Sequence, residues 1–331
     1  IYKDLKGGEF TAFFTDSYRK GIMKKAYLCV IITALLFGTM EVSCKIGGSD
    51  LDPFQLTFLR FFIGGLVLLP FAVKEIKERG VSLTTGAFGR LACVGLLGVT
   101  ISMSLFQLSI MMCNASTVSV LICVNPFFTM VFAHFLTSEK MDIYKGVILL
   151  VALTGIVFML RPWYIHEGNS ALGMGLMLLS ALFFGLYTVA GKVIQEKIGL
   201  MAQTSISFLL GSLALLVVML FMGRPVVSGV ADDIPIVIYV GIFVTGVGYY
   251  CYFKAIELAD AATGALAFFI KPAIAPVIAV IVLHETILWN TVVGICLVLT
   301  GSLMNIIYQK ETANQRLAEE RRKLANEQNQ N

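Results

Sequence analysis

Long apolar runs alternate with short polar breaks along almost the whole chain. A membrane-spanning helix needs about 20 mostly apolar residues, and ten runs of this kind are present. They cover residues 26–46, 54–73, 88–110, 115–136, 143–160, 170–191, 201–222, 234–254, 261–283 and 288–308. The breaks carry turn or charge signals, for example Gly47-Gly48-Ser49-Asp50. The pattern predicts an all-α polytopic membrane protein with ten transmembrane helices, numbered helix 1 to helix 10 in chain order.

Composition agrees with a chain that is solvated mainly by lipid. Of its 331 residues, 57% are hydrophobic and 14% are charged, whereas a soluble domain carries about 25% charged residues. A net charge of +4 is no signal for nucleic-acid binding, since the placement of the charges matters more than their sum. The seven cysteines include no CxxC pair, so we interpret them as small buried apolar residues.

The basic residues predict the orientation in the membrane. If the N-terminus is cytoplasmic, 20 of the 25 Lys and Arg residues fall in cytoplasmic segments and only Arg161 and Arg224 fall in outer loops. Lys45, Arg60 and Lys271 lie inside helices. Short cytoplasmic loops are enriched in Lys and Arg. We therefore expect a cell (inner) membrane protein with both termini in the cytoplasm, including residues 1–25 and a charged tail of residues 309–331.

An internal repeat divides the chain into two halves. Residues 34–45 (ALLFGTMEVSCK) and 181–192 (ALFFGLYTVAGK) are identical at six of twelve positions. At nearly the same offset a second set of residues aligns with its counterpart. This set pairs Ala115, Thr117, Pro126, Val131, Ala133 and Glu139 with Ala261, Thr263, Pro272, Val277, Ala279 and Glu285. We predict a first five-helix repeat at 26–160 and a second at 161–308.

Because each repeat has an odd number of helices, the second copy must enter the membrane from the opposite side. In proteins with such inverted repeats, substrate sites lie near the membrane midplane between the halves.

These features together resemble the EamA branch of the drug/metabolite transporter superfamily over residues 26–308. The matching features are F-G-x-x-x-V-x-x-K in helices 1 and 6, Arg60 early in helix 2, and the Thr-Gly pairs in helices 5 and 10. Pro126 and Pro272, each followed 13 residues later by a glutamate, complete the match. The resemblance implies a ten-helix secondary transporter, often an exporter of amino acids or related metabolites. Glu41 is a departure, since the family usually has an apolar or aromatic residue there.

Charged residues inside the predicted helices are the first candidates for a site. A charge at the centre of a membrane helix costs about 2.5–3.5 kcal/mol on insertion scales, so it needs a partner or a watery cavity. We expect Lys271 and Arg60 to attract a carboxylate, and Glu41 to meet a substrate amine or to exchange a proton. Glu41 and Lys45 lie four residues apart and can pair with each other. The alternative is purely structural: buried pairs hold helices together, and Lys45 and Arg60 snorkel outwards.

Further polar and helix-bending residues extend the predicted site. We assign to substrate binding Glu41, Lys45, Arg60, Asn125, Tyr187, Tyr249 and Lys271. Proline within a helix removes a backbone hydrogen bond and favours a kink, and Pro276 would add a second break in helix 9. We assign to hinges or gates Pro126, Pro272, Pro276, Glu139 and Glu285, with the two glutamates capping or gating connections between helices.

The sequence favours a small-metabolite transporter that works by alternating access around a midplane cavity. The runner-up is an intramembrane enzyme that acts on a lipid or lipid-linked substrate, although HExxH, GxSxG and P-loop motifs are absent. A channel is less favoured because no stretch resembles a selectivity filter. The lone histidines His134 and His284 give no metal site, and we expect no cofactor. Proton coupling, transport direction, substrate identity and a homodimer all stay open.

Overall fold

A computed structural model gives the fold of the chain. The structure describes residues 7–136, 143–160, 168–259 and 261–287, together with residues 289–311 except 291, 298, 302, 305, 306, 309 and 310. Throughout this part of the chain the regular elements are helices. Eight of them are long and apolar enough to cross a membrane. They are α1 (Ile22–Asp50), α2 (Pro53–Arg79), α3 (Thr85–Met112), α4 (Ala115–Leu136), α6 (Ala171–Ile198), α7 (Leu200–Phe221), α8 (Ile234–Leu258) and α9 (Ala261–Leu283).

The other two predicted spans coincide with shorter apolar helices. These are α5 (Ile143–Leu160) and α10 (Val292–Gly301). An all-helical protein with many membrane-spanning helices is thus confirmed, while the count of ten stays a prediction.

Local signals in the sequence set the helix ends. The Asp52 side chain accepts hydrogen bonds from the N–H groups of Phe54 and Gln55, and Pro53 occupies the first turn of α2. Gly80 ends α2 with a φ of 63°, a left-handed conformation that glycine adopts without steric cost. The boundary between α3 and α4, which was weakly marked in the sequence, falls at Cys113 and Asn114 as predicted.

The connections that follow α1, α3, α5, α7 and α9 meet at one end of the helix bundle, which we call the upper face. The contacts that join them are Arg224 Nη1 to Asp52 Oδ2 (3.0 Å), Ser170 N to Met112 O (3.0 Å), Lys45 Nζ to Cys113 O (2.7 Å) and Glu285 Oε1 to Ala115 N (2.6 Å). Since consecutive helices alternate in direction, α1 ends at the upper face and α6 begins there.

Helices α2 and α7 form an extensive helix pair and are joined at both ends. At the upper face, Arg224 after α7 contacts Asp52 before α2. At the opposite, lower face, Glu75 of α2 accepts hydrogen bonds from the N–H groups of Leu200 and Ala202 at 3.2 and 3.0 Å. One carboxylate thereby satisfies two N–H groups that the first turn of α7 cannot satisfy itself.

Close helix contacts recur at equivalent positions of the two halves. A Cβ added to Gly38 of α1 would lie 2.6 Å from Cγ2 of Ile274 in α9. A Cβ added to Gly185 of α6 would lie 2.8 Å from Cβ of Phe128 in α4. Gly38 aligns with Gly185 and Phe128 with Ile274 in the sequence repeat. The α1–α9 pair therefore packs like the α6–α4 pair, as the repeat requires.

The mid-helix prolines have different surroundings in the two halves. Ile122–Val124 of α4 is a 3₁₀ segment directly before Asn125 and Pro126, so the α-helical bonding changes there. By contrast, α9 runs as one helix through Pro272 and Pro276. The second break that we expected at Pro276 is not found, because the helix continues on both sides of each proline.

Candidate functional site

The centre of the site is an ion pair between α1 and α9. Nζ of Lys271 lies 2.5 Å from Oε1 of Glu41, and their side chains are 3% and 0% exposed. No described donor meets either carboxylate oxygen of Glu41 with hydrogen-bond geometry. Removing charges from water costs several kcal/mol per ion, and mutual attraction compensates only if the geometry is good. The ion pair thus joins the two halves of the chain. The mutual attraction of the two charges offsets the cost of burying them.

Lys45 is paired with the second half rather than with Glu41. Its Nζ lies 3.2 Å from Oε1 of Glu285 and also donates to the carbonyl of Cys113. The expected pairing of Glu41 with Lys45 within α1 is wrong. A Glu41–Lys45 pair would leave Lys271 without a counter-charge in the interior. In the structure Glu41 pairs with Lys271 and Lys45 pairs with Glu285, so all four charges are neutralised.

Glu285 also binds the beginning of α4. Its Oε1 accepts from Ala115 N at 2.6 Å, and its Oε2 accepts from Ser116 N at 3.1 Å and from Ser116 Oγ at 2.7 Å. The N-terminal N–H groups of a helix lack partners within the helix and carry a partial positive charge, so a carboxylate is well placed there. The capping that we predicted for Glu285 is present, whereas Glu139 lies outside the described residues.

Arg60 is buried close to the central pair and has an unusual set of partners. Its Nη1 donates to Sγ of Cys44 at 3.0 Å, and its Nη2 lies 3.5 Å from Sδ of Met103. The guanidinium also lies 4.5 Å from the Phe61 ring centroid and 5.6 Å from that of Phe106. Its side chain is 3% exposed, and Nε has no hydrogen-bond partner in the described part of the chain. Arg60 therefore lies inside the protein and does not snorkel to an interface.

Cys44 connects Arg60 to the central pair. It is fully buried one turn after Glu41 and lies near Arg60, Glu41 and Lys271. The amide of Gln107 in α3 donates to the Cys44 carbonyl at 2.9 Å. Sequence reasoning missed Cys44, Met103 and Gln107. Only Gln107 had a signal, as a polar residue within an apolar run.

The other predicted binding residues are distributed unevenly around this centre. Tyr249 packs against Phe37 and Phe208 with ring centroids 5.1 Å apart in both pairs. Phe208 packs in turn on Phe61, over whose ring the Arg60 guanidinium lies. Tyr187 directs its hydroxyl towards Ser207, Gln203 and Thr204 of α7. Asn125 accepts a hydrogen bond from Thr129 within α4. The structure therefore gathers Glu41, Lys271, Arg60 and Tyr249.

An open depression lies at the upper face beside the Lys45–Glu285 pair. Its volume is about 400 Å³, and Lys45, Cys113, Asn114 and Ser170 are among its lining residues. Within the described part of the chain, no group of three or more His, Cys, Asp or Glu side chains is arranged to hold a metal ion.

Comparison with known proteins settles the family. The model of the EamA-like transporter family matches the chain twice, at residues 24–161 and 171–307. The chain belongs to this family. An uncharacterized transporter of Clostridium kluyveri is 39% identical over 296 residues, which cover 87% of this chain and 95% of the relative. Membership in the EamA-like transporter family identifies a multi-pass membrane transporter.

One further sequence relative and one solved structure are also similar to this chain. The S-adenosylmethionine uptake transporter of Rickettsia prowazekii is 27% identical over 179 residues, covering 52% of this chain and 58% of the relative. A solved crystal structure aligns with a TM-score of 0.60 at 17% identity, covering 87% of this chain and 99% of the other. At that identity the structural match shows a shared fold.

Proposed function

We propose that the protein is a secondary transporter of small metabolites that carry a carboxylate group, amino acids among them. It works by alternating access around the Glu41–Lys271 pair. The observation that carries this proposal is that one partner comes from each half, and both are buried in helices of membrane-spanning length. An intramembrane charge pair is costly and marks substrate or ion pathways.

The proposed topology has ten helices in two inverted five-helix repeats. Two observations support it: the connections after α1, α3, α5, α7 and α9 share the upper face, and equivalent glycines make equivalent helix contacts. The distribution of Lys and Arg makes the upper face the outer one. Both termini are then cytoplasmic in the cell (inner) membrane.

In the proposed cycle the helix bundle closes at one face while it opens at the other. At the upper face, the first turns of α4 pack against α9, and Glu285 holds the start of α4. Towards the lower face, Asn125–Leu136 of α4 packs on α6 instead. In the proposed cycle these contacts close the outer side, and release of the Glu285 contacts opens it. Pro126, Pro272 and Pro276 are the proposed hinges, because proline weakens the helix locally.

A carboxylate-bearing solute agrees with the relative that has a named substrate. The Rickettsia protein is named for S-adenosylmethionine, a molecule with an amino-acid end. Export is the direction that the family resemblance implies. A secondary transporter moves solute in whichever direction the gradients favour, so the direction must be measured with both gradients imposed.

The experiment has two stages. An export screen compares the metabolites released by cells with and without the protein. The purified protein in liposomes is then loaded with the identified solute, and its exchange with labelled external solute is measured. Saturable exchange of unmodified solute supports the proposal. Covalent modification of the solute indicates the intramembrane enzyme, and rapid non-saturable flux indicates a channel.

A further inference from the structure

Three charged side chains, those of Glu41, Lys271 and Arg60, lie near Cys44 in the interior. Together they leave one positive charge without a counter-charge. Glu41 and Lys271 neutralise each other at 2.5 Å. Arg60 has no carboxylate within ion-pair distance among the described residues. The arginine guanidinium is effectively always positively charged in proteins. The cluster of Glu41, Lys271 and Arg60 therefore carries a net charge of +1 within the membrane-spanning helices.

The present partners of Arg60 are weak acceptors. A thiol and a thioether sulfur take the positions where a carboxylate would otherwise bind. Aromatic rings add a modest cation–π attraction. A guanidinium has five N–H donors in a planar fork that matches a carboxylate with two parallel hydrogen bonds. A solute carboxylate is thus a better partner than either sulfur, and unbranched Met103 can move aside.

Two further features of α1, α2 and α3 are typical of a functional site. Helix α3 is π-helical from Leu96 to Met103, ending at the residue that contacts Arg60, and π-helical segments occur frequently at functional sites. Among the described residues, the buried polar atoms without a hydrogen-bond partner lie on α1, α2 and α3. They are Gln55 Oε1, Arg60 Nε, Ser104 Oγ, Ser109 Oγ and the two carboxylate oxygens of Glu41, of which Oε1 is ion-paired with Lys271. Orphaned buried polar groups are rare in native proteins unless a function explains them.

We propose that Arg60, rather than Lys271, binds the carboxylate of the solute, and that the preferred solute is a small monocarboxylate with a net charge of −1. Bound there, such a solute neutralises the cluster without breaking the Glu41–Lys271 pair. The carboxylate replaces Cys44 and Met103 as the acceptor for the guanidinium. The free carboxylate oxygen of Glu41 accepts a hydrogen bond from a hydroxyl group of the solute.

This inference rests on the proposed transport function but is tested by binding alone. The thermal unfolding midpoint of the purified protein is measured with propionate, propionamide, propylammonium or chloride at equal ionic strength. A ligand that binds only the folded protein raises the midpoint. Propionate should raise it above the chloride value, and propionamide and propylammonium should not.

Variants of Arg60 then assign the effect to one side chain. Arg60→Gln should weaken the apparent affinity for propionate by about tenfold to a hundredfold, because a hydrogen bond to a charged group is lost. Arg60→Lys keeps the charge without the fork and should give an intermediate affinity. Arg224→Gln is the matched control, since Arg224 contacts Asp52 at the upper face, and it should keep the full propionate effect.

Several results would overturn the assignment. One is equal midpoints with propionate and propionamide in the unmodified protein. Another is a propionate effect of full size in folded Arg60→Gln, which would reduce Arg60 to a structural role. If liposomes exchange a neutral or cationic solute while propionate has no effect, the Arg60 inference fails and the transport function stands.

Discussion

Lys45 of α1 and Glu285 after α9 form an ion pair of 3.2 Å one helical turn above the buried pair of Glu41 and Lys271. The signs are reversed between the two pairs, since α1 contributes an anion then a cation and the α9 segment contributes a cation then an anion. Sliding α1 along α9 by one turn would bring like charges together. The two pairs therefore fix the register between the halves in the observed state.

Removing the Glu285 carboxylate should loosen the upper face. In Glu285→Gln the start of α4 loses a charged cap worth about 1–2 kcal/mol, which raises the open fraction about fivefold to thirtyfold. Cys113 is 1% exposed beside this contact and serves as the reporter. Alkylation of Cys113 by a membrane-impermeant maleimide in intact cells, measured by mass spectrometry of its peptide, should become faster.

Glu75→Gln is the matched control for that experiment. Glu75 also caps a helix start, that of α7, but it does so at the lower face. It should leave the alkylation rate of Cys113 near that of the unmodified protein. An unchanged rate in Glu285→Gln, or an equal increase in both variants, would contradict a latch at the upper face.

The buried pair should be costly to break on one side and tolerable to remove completely. Lys271→Met leaves Glu41 as an uncompensated buried charge, which costs about 3–5 kcal/mol. The double variant Glu41→Gln, Lys271→Met removes both charges and should recover most of that loss. Denaturant unfolding in detergent measures both free energies. Equal destabilisation by the single and the double variant would show that the two side chains do not interact.

The equivalent glycines should respond differently to the same substitution. In Gly38→Ala the new methyl group meets Cγ2 of Ile274, a side-chain atom, so Ile274→Leu should restore much of the lost stability. In Gly185→Ala it meets the backbone N of Thr129 at 2.9 Å, which cannot move aside alone. Unfolding measurements should therefore show a larger loss for Gly185→Ala. Rescue of Gly185→Ala by a Phe128 substitution would argue against this packing.

Much of the helix layout could be predicted from the sequence, because a helix that crosses lipid needs a long run of apolar residues. Apolar runs located eight spans of the structure, and the repeat predicted that Gly38 and Gly185 would have like surroundings. These features depend on residues near each other in the sequence or on its periodicity.

The partners of the charged residues could not be predicted, because they are set by contacts between distant segments. Glu41 and Lys45 formed a sufficient pair within one helix, so nothing in the sequence indicated Lys271 and Glu285 instead. Glu75 caps the start of α7 through Leu200, which lies 125 residues further along the chain. The sulfur partners of Arg60 gave no signal, since Cys44 and Met103 resemble ordinary apolar residues.

The most direct test of the account is exchange by purified protein in liposomes loaded with the solute that the export screen identifies. Unlabelled solute inside should accelerate the entry of labelled solute through the unmodified protein and through Arg224→Gln, and this acceleration should be lost in folded Lys271→Met. Acceleration of the same size in Lys271→Met would contradict an alternating-access site built around Glu41 and Lys271.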